Sequence, residues 1–186
     1  NQVNLSLAFR VIEEVSNQKI IKSLGNLKGP EGRSTVLKNK NTYIIIDFAH
    51  TPDALSNLLE SVKKRYNKFK IKLLFGCGGN RDKQKRRSMG EVASKLSDFI
   101  YLTSDNPRFE DPQKIINDIK DGFSGNNYEI FVNRKEAIEF AVTNMHKNEI
   151  LIIAGKGHEL FQEIKGSKNP FNEKEMVMNL LKNRND

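Results

Sequence analysis

Four short clusters hold most of the residues whose types and spacing could do chemistry. They are Asp47-Phe48-Ala49-His50-Thr51-Pro52-Asp53, Gly76-Cys77-Gly78-Gly79-Asn80-Arg81-Asp82, Asp105-Asn106-Pro107-Arg108 and Gly155-Lys156-Gly157-His158-Glu159. Three glycines in four positions either allow a tight turn or let backbone amides line a concavity for an anion or substrate. Arg108 brings a planar fork of donors suited to a carboxylate or phosphate. The Asp-Asn-Pro before it is also an ordinary turn signal. Asp47 and His50 are candidates for polar chemistry and equally for turn and helix-cap duty. His158 beside Glu159 lacks metal-ligand spacing, and the three histidines of the chain form no cluster. Cys77 has no adjacent histidine to activate it and reads as an inert small residue. Neither a Gly-x-x-x-x-Gly-Lys-[Ser/Thr] loop nor a Gly-x-Gly-x-x-Gly fingerprint occurs, so both common phosphate cradles are missing from this sequence.

These clusters need elements to position them. Five short runs, 43–47, 71–75, 99–103, 128–132 and 150–154, are rich in β-branched and aromatic residues and nearly continuously apolar. That pattern predicts strands covered on both faces, as in a parallel sheet. Helices are predicted between them at 52–66, 84–97, 112–122 and 134–147, with a last one at 172–183. Thr51-Pro52 and Asp111-Pro112 each put a capping side chain before a proline at the first helical position, and Asn133 caps a third helix. Met89, Val92, Ala93 and Leu96 recur at helical spacing. The alternation predicts an α/β fold, a doubly wound and mostly parallel sheet with right-handed crossovers. Ligands of open α/β sheets bind outside the carboxyl ends of the strands. All four clusters directly follow predicted strands, which places them along one edge of the sheet.

Upstream, Val3, Leu7, Val11 and Val15 recur four apart and predict an amphipathic helix over 3–16. Gly25 to Gly32, with Gly29-Pro30 inside it, reads as a linker. At 186 residues and 37% hydrophobic content, the chain suits one domain plus part of another and is too apolar for a disordered tail. Its single cysteine excludes an internal disulfide framework and a cysteine-rich zinc site. No apolar run approaches the roughly 18 residues of a membrane span. Residues 1–7 do not form a signal peptide. The cytoplasm is therefore the expected compartment. The net charge of +8 is concentrated: Lys63 to Arg87 holds eleven basic residues and one acid, a local +10. A polyanion partner is the first implication. Only Tyr66, Phe69 and Phe75 are interleaved with these charges, and Phe75 falls in a predicted buried strand, which argues against a nucleic-acid stacking surface. Lys63 to Lys72 read as solvated surface. Lys83 to Arg87 read as a field favouring the approach of anionic substrates.

In their order along the chain, residues 47–53, 76–83, 105–108 and 155–159 resemble the motifs of the Mur ligases. The similarity runs over nearly the whole sequence and is strongest to the C-terminal domain of members that add meso-2,6-diaminopimelate. The resemblance implies a Rossmann-like C-terminal domain over 33–186, preceded in 1–32 by the last helix of the family's central ATPase domain and a linker. It implies ATP-dependent joining of meso-diaminopimelate to UDP-N-acetylmuramoyl-L-alanyl-D-glutamate in cytoplasmic peptidoglycan synthesis, through an acyl phosphate. ATP and Mg2+ would be held mainly by the central domain. That accounts for the missing phosphate loop and implies that this fragment alone does not turn over. The implied partners are the two substrates and ATP, with no nucleic acid and no membrane, in a monomer. A lysine-adding relative or another Mur ligase is the alternative.

Residue roles follow from matched positions. Asp105-Asn106-Pro107-Arg108 resembles the family's diaminopimelate signature, with Arg108 for the distal carboxylate, Asn106 donating to it, and Asp105 accepting from an ammonium or orienting Arg108. Arg81 matches an arginine contacting the amino-acid substrate. Gly155, through its backbone, and Glu159 resemble positions that bind the distal amino group. Arg33, Asp47 and His50 match positions near the nucleotide. No catalytic residue and no metal ligand is expected in this chain. Lys156 and His158 complete their motif without receiving a role from it. Asn80 stands where the family often has Asp, and Gly-Arg-Ser-Thr at 32–35 lacks an acidic residue often found there.

Overall fold

The computed structural model describes residues 34–39 and 42–184. The predicted helix over 3–16, the linker and Arg33 lie outside them. Among the described residues, eight strands and five helices occur in the order β1 (Thr35–Asn39), β2 (Thr42–Asp47), α1 (Pro52–Arg65), β3 (Lys70–Phe75), α2 (Gln84–Leu96), β4 (Phe99–Thr103), α3 (Pro112–Lys120), β5 (Tyr128–Phe131), α4 (Arg134–Thr143), β6 (Glu149–Ala154), β7 (Phe161–Ile164), β8 (Ser167–Pro170) and α5 (Glu173–Asn183). The main sheet runs β1-β2-β6-β3-β4-β5. Its five predicted strands are parallel, and β1 adds an antiparallel edge.

Helices cover both faces, because successive strand side chains point to opposite sides. Ile45, Leu73 and Ile152 pack with Leu55 of α1, Met89 of α2 and Ile116 of α3. Their neighbours Ile44, Leu74 and Ile153 pack with Ile138 and Val142 of α4 and Val177 of α5. This explains why the strands read as unbroken apolar runs. The caps form as expected: the Thr51, Asp111 and Asn133 side chains accept from the amides of Ala54, Gln113 and Lys135.

Three features differ from the sequence expectation. Strand β1 alternates half-buried and exposed residues, which is too weak a signal at a sheet edge. The β7–β8 hairpin is short and largely polar. It turns through Lys165 and Gly166, both at positive φ (49° and 81°), the backbone of a two-residue hairpin turn. Lysine is an uncommon first residue there, so the turn is not legible. Finally, α4 stops at Thr143 instead of 147, and the Asn144 amide closes it by donating to Phe140.

Candidate functional site

The parallel strands end nearly flush, with Asp47 opposite Ala154 and Phe75 opposite Leu102. The segments that follow β2, β3, β4 and β6 therefore converge. They enclose a cleft of about 280 Å³ lined by Phe48, His50, Gly76, Cys77, Gly78, Arg81, Lys85, Asp105, Asn106, Arg108, Gly155 and Glu159. Every one of the four sequence clusters contributes.

The glycines make this convergence possible. A Cβ at Gly76 would stand 2.1 Å from the Thr103 carbonyl oxygen, and one at Gly79 would stand 2.0 Å from that of Pro107. The loops after β3 and β4 are thus pressed backbone to backbone, and the Gly79 amide donates to the Asn106 carbonyl across 2.9 Å. At Gly155, with φ +116°, a Cβ would meet the Asp105 carboxylate at 2.6 Å.

Arg108 sits between this cleft and the β7–β8 hairpin. Its Nε pairs with Glu163 at 3.0 Å and its Nη1 donates to the Gly79 carbonyl at 2.8 Å. Its Nη2 has no acceptor among the described residues, and the guanidinium borders the cleft. The backbone is held as well: its amide donates to the Glu163 carbonyl, and its own carbonyl accepts from Lys165. Positive φ at Arg108 (52°) is a strained conformation for a non-glycine residue. The two flanking backbone bonds stabilise it. Asp105 is buried, and its carboxylate receives no hydrogen bond from the described residues. Arg81 is exposed at the rim and has no partner among them.

Asn106 and Glu159 face each other. The Asn106 Nδ2 donates to Glu159 Oε2 at 2.9 Å, and Lys156 Nζ donates to both Asn106 Oδ1 and Glu159 Oε2 at 2.9 Å. Burial pushes the Glu159 carboxyl upward, but these two donors outweigh it and hold the group below the usual range. The ionised Glu159 carboxylate and the Arg108 guanidinium, whose Nη2 is open, give the cleft opposed charges. The Cys77 thiol is pushed up to about 12 by burial, so at neutral pH it is not a thiolate nucleophile.

The positions expected near a nucleotide are not all brought together. His50 lines the cleft, its Nδ1 engaged with the Phe48 carbonyl at 2.8 Å. Asp47 instead organises its own loop, accepting from the Ser34 amide at 2.7 Å and the Ala49 amide at 2.8 Å. His158 stacks against Phe48 with ring centroids 5.0 Å apart. Among the described residues, no group of three His, Cys, Asp or Glu is disposed to hold a metal ion, and no helix is long and apolar enough to cross a membrane.

Two parts of the charge reading change. Arg86 is fully buried, bound to Glu110 at 3.0 Å and Asp118 at 2.8 Å, and it also donates to the Gly78 carbonyl at 3.3 Å. It is a brace for the glycine turn and not part of a surface field. Lys72 pairs with Glu149 at 2.8 Å in a largely buried contact. Sequence reasoning missed Arg86, Glu110, Glu163 and the Arg134–Glu173 pair as supports. Charged residues on predicted helices and hairpins read as solvent-facing, and only packing shows which are enclosed. A strand-interior signal existed for none of them.

Fold and cleft together define a class: a doubly wound α/β domain with a charged cleft at the carboxyl edge of its sheet. Residues 32–157 match the family described as Mur ligase, glutamate ligase domain, and the chain belongs to the Mur ligase family. It is 41% identical over 180 residues to UDP-N-acetylmuramoyl-L-alanyl-D-glutamate–2,6-diaminopimelate ligase 1 of Clostridium acetobutylicum, covering 95% of this chain and 37% of the relative. The ligase of the same name from Aquifex aeolicus is 42% identical over 180 residues, covering 96% of this chain and 37% of the relative. A solved structure of a UDP-N-acetylmuramoyl-L-alanyl-D-glutamate–2,6-diaminopimelate ligase superposes with a TM-score of 0.78 at 35% identity, over 97% of this chain and 38% of that one. A UDP-N-acetylmuramate-alanine ligase from Thermotoga maritima shares the fold, with a TM-score of 0.62 at 16% identity over 93% of this chain and 35% of that one. The chain spans about a third of the length of the curated relatives it matches.

Proposed function

We propose that this chain is the C-terminal, amino-acid-binding part of a ligase that adds meso-2,6-diaminopimelate to UDP-N-acetylmuramoyl-L-alanyl-D-glutamate. In this reading 33–186 form that domain, and 1–32 hold the last helix of a central ATPase domain with its linker. The observation that carries the reading is the meeting of opposed charges in one cleft, Arg81 and Arg108 with Asp105 and Glu159. Diaminopimelate bears a carboxylate and an ammonium at each end. Lysine lacks the distal carboxylate. With lysine the open Nη2 donor of the half-buried Arg108 goes unmatched, and a site built to hydrogen-bond a group rejects an analogue lacking it by roughly 10⁴-fold.

Within this reading Arg108 takes the distal carboxylate through its open Nη2, and Asn106 adds a donor. Glu159 and the Gly155 backbone receive the distal ammonium. Arg81 at the rim takes a carboxylate of the same amino acid. ATP and Mg2+ belong to the same proposed reaction, which proceeds through an acyl phosphate. The described residues do not fit either group: they offer neither a phosphate loop nor a metal-binding set. The reading makes the whole ligase cytoplasmic and monomeric, and the present chain inactive by itself.

The test is steady-state kinetics on the full-length ligase. Meso-diaminopimelate should be used far better than lysine. Replacing Arg108→Ala removes a charge-assisted pair worth about 2 kcal/mol, so KM for diaminopimelate should rise about 30-fold. An unchanged KM, or equal use of lysine, sinks the assignment.

A further inference from the structure

Lys156 is completely buried, which is rare for a lysine without paired partners. Its Nζ reaches Asn106 Oδ1 and Glu159 Oε2, each at 2.9 Å, and lies 5.7 Å from the centroid of the Phe161 ring. A second donor, the Glu163 backbone amide, meets the same Asn106 atom at 2.9 Å. An ammonium and a backbone N–H can converge only on an acceptor, so this end of the amide is its oxygen. The NH2 group is then turned toward Glu159 and the cleft. Glu159 is oriented by the same ammonium. Its Oε2 accepts from both Lys156 and Asn106, which leaves Oε1 without a donor among the described residues.

We propose that Lys156 is a positioning residue that sets the polarity of the amino-acid cleft, locking Asn106 as a donor and Glu159 as an acceptor without touching the ligand. The proposal deepens the function proposed above and rests on it. A neutral side chain in its place leaves the Asn106 amide free to rotate and the Glu159 carboxylate without its cation. Both the anion-binding and the ammonium-binding halves of the cleft then lose definition together. The two glycines around Lys156, at φ +116° and +54°, form the turn that directs this side chain inward.

The full-length ligase carrying Lys156→Met tests this. KM for meso-diaminopimelate should rise at least tenfold, with kcat lowered less than threefold and KM for ATP and for the UDP-linked substrate within twofold of wild type. Preference for diaminopimelate over lysine should fall by a similar factor, and the melting temperature should stay within a few degrees. Lys156→Gln keeps a donor for Asn106 but no charge for Glu159, and should give an intermediate KM. An unchanged diaminopimelate KM in a folded variant overturns the proposal, as does a parallel rise in all three KM values. If only Lys156→Gln folds, its KM decides alone. Collapse of both variants makes Lys156 a folding residue and also overturns it. Arg108→Ala run alongside separates the failures. Unchanged KM there removes the functional reading itself, whereas a raised KM there with wild-type kinetics for Lys156→Met removes only the positioning role.

Discussion

Single atoms decide how closely the site loops approach. The Gly76 and Gly79 positions each face a carbonyl oxygen of the neighbouring loop at about 2 Å from a built Cβ, and backbone cannot yield as a flexible side chain can. Gly76→Ala should therefore destabilise the domain by about 2 kcal/mol, measurable by urea unfolding of the 186-residue chain. Behind the turn, Arg86 hydrogen-bonds Glu110 and holds its carboxyl down at about 2, against an ordinary 4.5. The folded state then binds fewer protons than the unfolded state between these values. The resulting stability is present above about 4.5 and is lost as pH falls toward about 2. Unfolding of the wild-type chain should become easier across that window, and Glu110→Gln should flatten this part of the pH dependence. An identical slope in the variant places the acid sensitivity elsewhere.

Elements are tied to one another by a second buried arginine. Arg134, at the start of α4, pairs with Glu173 at the start of α5 at 2.6 Å. It also donates to the Ala154 carbonyl at 2.9 Å and the Ser104 carbonyl at 3.3 Å. Those carbonyls close β6 and directly follow β4, the two strands that carry Asn106, Arg108 and Glu159. One side chain thus anchors two helices against two strand ends on the face opposite α1, α2 and α3. Both partners are fully buried, so losing one leaves an uncompensated charge. Glu173→Ala should cost about 3–5 kcal/mol. The paired replacement Arg134→Met with Glu173→Leu should recover most of that, because burial of an ion pair is itself costly. Melting of the three variants checks the order.

Across the whole molecule, the concentrated basic charge divides according to where topology sends it. Strand β2 runs toward the cleft, α1 returns from it, and β3 starts again at the far edge. Lys63, Lys64 and Lys68 therefore sit at the edge opposite the site, exposed. A six-residue strand spans about 20 Å, and the screening length at physiological ionic strength is about 8 Å. These lysines contribute little field at the cleft. Under the proposed function, replacing all three with glutamine should leave kcat/KM for diaminopimelate of the full ligase within about twofold at roughly 0.15 M salt. A larger fall would restore a steering role. On the near edge, Lys85 donates to the His50 carbonyl at 2.9 Å, Arg87 pairs with Glu91 and Arg86 is enclosed. Of this basic run, Arg81 is the exposed cation that lines the cleft.

The sequence by itself determined the α/β alternation, the five parallel strands and the four segments that meet at the cleft. Those follow from local rules: continuous apolar runs, Pro at helix starts, and glycine where backbones must touch. It also placed Arg81, Asp105, Asn106, Arg108, Gly155 and Glu159 on one sheet edge, because strand ends of a parallel sheet share an edge. Only tertiary structure decided that Arg86, Lys156 and Arg134 are buried braces, that Lys72 is paired, and that Asp47 holds its own loop. Only packing added β1, the β7–β8 hairpin and the Glu163 contact to Arg108. A charged side chain looks the same in sequence whether solvent or a carboxylate neutralises it. Its partner lies up to dozens of residues away, and desolvation by the fold, not local pattern, selects which charges must be paired.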